Sequence, residues 1–106
     1  MKYNEKITIL IEIHSKDGEE ELARNTFLTA ITTTEKPGLL SYEIYEDIKN
    51  PGTFFSSQVW ESIEDFKAHM GAVNSGKGEA TSMLREAPKV SVLKSIGSRD
   101  MNVAKE

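Results

Sequence analysis

Glu35-Lys36-Pro37-Gly38, Ser41-Tyr42-Glu43-Ile44-Tyr45-Glu46-Asp47, Phe54, Val59-Trp60-Glu61 and Asp65-Phe66-Lys67-Ala68-His69 follow one another in this order and spacing, and the fold turns on this run. Pro37 and Gly38 mark a turn, because the residue before a proline avoids helical geometry. A strand from Leu39 to Ile48 follows. Lys49-Asn50-Pro51-Gly52 reads as a second turn, so Phe54 to Glu61 should return antiparallel as a hairpin. Ser62, with Asp65 three positions on, is a weaker form of the capping box and opens a helix whose apolar face holds Ile63, Phe66 and Met70.

Upstream of this run, every odd position from Ile7 to Ile13 is isoleucine, the mark of a strand with one wholly apolar face. Thr8, Leu10, Glu12 and His14 take the other face. Lys16-Asp17-Gly18 ends the strand, and Asp17 is the expected cap of a helix beginning with three glutamates, its inner stripe being Ala23, Phe27, Ala30 and Ile31. Downstream, Gly71, Gly76 and Gly78 predict a loop, followed by a further helix through Ala80, Met83, Leu84 and Ala87 that Pro88 ends. Val90 to Ile96 supplies a last strand. Residues 1–97 form one domain on this reading, and 98–106 a polar tail.

The order β-α-β-β-α-β is the ferredoxin-like α+β unit, an antiparallel sheet with helices on one face and here with the second helix broken. Its other face would expose Leu10, Phe55 and Val59, which marks an interface. The run quoted above, in its order and spacing, resembles the antibiotic biosynthesis monooxygenase (ABM) family. That resemblance implies a dimeric α+β barrel, with a homodimer formed through the sheets.

A chain of 106 residues has room for one domain and buries only about two-thirds of its unfolded surface, so a partner subunit would help. Its formal charge of -4 disfavours nucleic acid and anionic membranes as partners. The absence of cysteine excludes thiolate nucleophiles, disulfides and Cys-ligated metals, and suits the cytoplasm. No segment reads as a signal peptide or a membrane span. Two histidines without a carboxylate cluster at ligand spacing give no metal site, and the glycines match no nucleotide fingerprint, so no cofactor is expected.

His69 is the candidate catalytic base, since imidazole titrates in the range needed to take a phenol or quinol proton. The competing reading is a helix histidine bonded to a carbonyl or to Asp65. Family members often carry histidine at this point, and some use it. Trp60, nine positions earlier at a strand end, is a flat wall on which a planar substrate could stack, or simply core. Gln58 shares its side of the strand and would be a neutral donor and acceptor. Tyr42, Phe66, Ile11, Asn74 and Met83 complete the candidate substrate-binding set, with Ile9 and Ile13 beside Ile11 as a wall. His14 and Glu12 belong to the opposite face.

The resemblance points first to a cofactor-independent monooxygenase acting on a quinol or polyphenol-like aromatic molecule. An isomerase or dehydratase of a small carbonyl compound is the alternative, with Arg85 and Lys77 as possible phosphate anchors, and a non-catalytic small-ligand-binding stress protein is a third. Haem degradation stands lower. That branch uses an asparagine on the first strand, and the matching place here is Ile11. Many relatives also have a second histidine where this chain has Asn74.

Overall fold

The computed structural model describes residues 6–75 and 83–99, with the backbone alone for 70–75. The alternating isoleucines form β1 (Ile7–His14), followed by α1 (Glu20–Thr33), β2 (Leu39–Glu46), β3 (Thr53–Trp60), α2 (Ile63–Ser75) and β4 (Lys89–Leu93). The strands make one antiparallel sheet in the order β2-β3-β1-β4. This is the ferredoxin-like arrangement expected from the order of elements.

Local chemistry explains where the elements stop. Asp17 does not cap α1: the cap is Glu19, without a side-chain bond, and Glu20 instead folds back to accept the Gly18 N–H at 3.2 Å. The tight turn through Gly18, at φ +87°, sets Asp17 apart from the helix start. β2 ends at Glu46 because Asp47 turns the chain, its carboxylate accepting from the Lys49 N–H at 2.9 Å and the Asn50 side chain at 3.1 Å. Ile48 is consequently solvent-exposed in the turn. Gly38 adopts φ +88°, and any Cβ there would collide with the Asp65 side chain, so the glycine lets β2 begin tightly against α2. Its carbonyl accepts the Glu61 N–H at 2.8 Å.

Ser62 caps α2 as expected: its Oγ accepts the Asp65 N–H at 3.2 Å and donates to the Asp65 carboxylate at 3.1 Å. The helix then runs through Gly71 to Ser75, where the sequence predicts a loop. One internal glycine costs a helix about 1 kcal/mol relative to alanine, which is too little to break it. The rest of the expected loop, residues 76–78, lies outside the described residues, as does Ala80. Met83 to Ala87 are not helical. Their backbone groups pair with the end of β1 instead: Arg85 N–H donates to the His14 carbonyl, and Met83 C=O accepts from Lys16, each at 2.8 Å. β4 is shorter than expected, leaving Ile96 almost fully exposed.

Both helices pack on the isoleucine face. Ile7, Ile9, Trp60 and Phe66 form one buried cluster, and Ile13, Ala23, Phe54 and Met83 another, with the partly buried Ile11 touching both. Leu10, Phe55 and Val59 lie on the opposite face and are half-buried rather than exposed. The register places large neighbours beside them, such as Tyr45 opposite Phe55.

Candidate functional site

Between α1 and the inner face of the sheet lies a cavity of about 330 Å³, lined by Thr26, Phe27, Ala30 and Thr34 of α1 and its C-terminal end, Leu39 and Tyr42 of β2, Gln58 and Trp60 of β3, and His69 of α2. The hairpin register sets Tyr42 directly opposite Gln58, so both project to this side. α1 is held over the cavity by Arg24, whose guanidinium makes two 2.8 Å bonds to the Glu46 carboxylate. That fork holds Glu46 below its ordinary range, aided by the Gly52 N–H at 3.2 Å.

Trp60 is fully buried and forms the floor. Its indole N–H donates to Gln58 Oε1 at 2.9 Å. Because indole is a donor only, this bond fixes which way the Gln58 amide points: the oxygen is engaged, and the NH₂ group remains as the donor. Gln58 is therefore a donor in the cavity, rather than the donor and acceptor its composition allows. The His69 ring lies over Trp60 with centroids 5.3 Å apart and planes inclined by 32°, while Phe66 meets the indole edge-on at 5.9 Å.

His69 Nδ1 is buried and has no hydrogen-bond partner among the described residues. The bond to Asp65 weighed from sequence is absent, and the Asp65 carboxylate receives the Ser62 hydroxyl instead. Burial lowers the His69 pKa below its ordinary 6.5, and the positive charge of Lys36 lowers it further. Both effects favour the neutral ring, which retains a lone pair for a proton. Burial raises the Tyr42 pKa, with Ser56 and Gln58 pulling the other way, so its phenol stays protonated.

Four of the sequence candidates, His69, Trp60, Gln58 and Tyr42, meet in this cavity. Phe66 stands behind Trp60 in the core; Ile11 lies between the two core clusters; and Met83 packs with Ile13 and Phe54. None of these three lines the cavity; all three belong to or touch the core clusters instead. Asn74 falls in α2, and its side chain lies outside the description. The α1 wall was missed. Its signal was Thr26, Ala30 and Thr34 at helical spacing, a stripe of small residues beside the bulkier core stripe. His14 is partnered on both ring nitrogens, with Glu12 at 2.8 Å and Thr53 at 3.2 Å, on the outer face. No group of three or more potential metal ligands occurs among the described residues. No described helix is long and apolar enough to cross a membrane.

Comparison with known proteins gives a family match and a fold match. The family model described as "Antibiotic biosynthesis monooxygenase" matches residues 6–77. No protein of curated function matches the sequence. Among solved structures, a Mycobacterium tuberculosis protein superposes with a TM-score of 0.75 at 17% identity, covering 90% of this chain and 99% of that one. A putative antibiotic biosynthesis monooxygenase from Nitrosomonas europaea gives 0.72 at 12% identity, covering 91% and 94%. A haem-degrading protein from M. tuberculosis, with two haems in its active site, gives 0.71 at 17%, covering 89% and 99%. At these identities the structural likeness establishes the fold.

Proposed function

The chain belongs to the antibiotic biosynthesis monooxygenase family, and on that premise we propose that it is a monooxygenase oxidising a quinol or polyphenol-like aromatic molecule with dioxygen, without a cofactor. One observation carries the reading: a histidine whose Nδ1 has no partner among the described residues, stacked beside a tryptophan in a largely apolar cavity that also holds a phenol and an amide donor. The cavity is at the lower end of the size range for small-molecule sites, which suits a compact ring system.

In this reading His69 takes the proton of the substrate hydroxyl, Trp60 orients the ring by stacking, and the Gln58 NH₂ donates to the oxyanion that forms. The electron-rich anion passes one electron to dioxygen. The resulting substrate radical and superoxide combine, forming a carbon–oxygen bond at the activated ring carbon. Cleavage of the O–O bond leaves one oxygen atom on the ring as a carbonyl, and the other departs as water with the two hydrogens lost by the substrate. Tyr42, protonated at neutral pH, is a second donor to the bound oxygen.

The test is oxygen uptake by metal-free protein supplied with a panel of quinols and naphthols. Uptake with quinone formation, without added cofactor, is the expected result. Binding of these compounds without any uptake under air would replace the oxygenase reading with that of a non-catalytic ligand-binding protein.

A further inference from the structure

His69 belongs to two spaces at once. It lines the cavity floored by Trp60, and it also borders a shallower pocket of about 140 Å³ formed with Lys36, Pro37, Asp65 and Ala68. Among the described residues that line it, the inner cavity has no lysine, arginine, aspartate or glutamate. The outer pocket contains one residue of each sign. Asp65 is committed to the start of α2, its carboxylate receiving the Ser62 hydroxyl and its side chain pressing on Gly38. Lys36 is exposed and has no ion-pair partner among the described residues.

An unpaired cation beside a proposed base has a cost: it disfavours the protonated imidazole and so weakens the base. A negative charge on the ligand removes that cost. It is attracted to Lys36 when it binds and favours a proton on His69 once it has bound. The arrangement therefore suits an anionic ligand better than a neutral one.

We propose that Lys36 is the specificity-determining residue of this site, a cationic rim that selects aromatic hydroxy acids, carrying a carboxylate next to the ring hydroxyl, over neutral phenols. This rests on the reading of the cavity as an aromatic-ligand site. The ring occupies the cavity against Trp60, and the carboxylate passes His69 toward Lys36.

The test is calorimetric titration of the protein with 1-hydroxy-2-naphthoate and with 1-naphthol, repeated for Lys36→Ala, Lys36→Arg and Lys36→Glu. One screened charge–charge contact changes affinity by roughly three- to tenfold. Lys36→Ala should weaken naphthoate binding by that factor and change naphthol binding less than twofold. Lys36→Arg should keep the preference, Lys36→Glu should reverse it, and added salt should shrink it. Wild-type protein should also take up protons from buffer when it binds the naphthoate near pH 6, and this uptake should disappear in His69→Ala. Equal losses for both compounds, or none, would overturn the proposal while leaving the cavity intact. Failure of wild-type protein to bind either compound would overturn the cavity reading and the proposal together.

Discussion

His69 owes its suitability as a base to burial, and burial makes it a determinant of stability as well. Its folded pKa lies below the ordinary 6.5, so below that pH the unfolded chain binds more protons than the folded one. The contribution is therefore complete above about pH 6.5 and is lost as the pH falls through the folded pKa. Thermal melting from pH 7.5 to 5 should show a steeper acid-side decline for wild-type protein than for His69→Gln; identical slopes would mean that the ring is not held neutral by the fold. At this scale the sequence was legible for residues that chemistry makes conspicuous, namely a lone tryptophan and a helical histidine. The placing of Lys36 was not legible, because this residue borders the same pocket as His69 from a distant part of the chain, and no spacing along the chain encodes that.

The boundaries of the elements follow from individual side chains, and two caps show how far they can be read. Ser62 was legible because the serine and the acid that answers it are three residues apart on a continuous helix. Asp17 misled, because the intervening turn at Gly18 isolates it from α1. Ser62→Ala should destabilise the fold by about 1 kcal/mol, the usual loss of a serine cap, seen as a lower urea midpoint with an unchanged slope. A midpoint equal to wild type would show that α2 is held by side-chain packing, chiefly of Ile63 and Phe66, without help from the cap. The helix expected near Met83 failed for a similar reason. Its apolar spacing fits a helix, but its backbone finds partners on β1.

Over the whole molecule, element order and sheet face were readable from isoleucine alternation and the two turns, whereas the cavity depended on how α1 crosses the sheet. The helices cover one face of that sheet, and Leu10, Phe55, Val59, Tyr45 and Leu93 lie on the other. We propose that a homodimer formed through the sheets covers this face. Light scattering at micromolar concentration should give twice the 11.8 kDa mass of one chain. A stable monomer would rule this out. Val59→Lys, placing a charge on that face, should shift the equilibrium toward single chains.

The central claim, that His69 takes the substrate proton, is tested most directly by turnover of His69→Ala on a quinol or naphthol that the wild-type protein oxidises, with the melting temperature taken on the same sample. Positioned proton transfer contributes on the order of 10²–10⁴ in rate, so turnover should fall by roughly a hundredfold or more. The variant also loses the packing of the ring on Trp60, so the melting temperature serves to show that the sample is still folded at the assay temperature. Undiminished turnover by a folded His69→Ala protein would remove His69 from the mechanism.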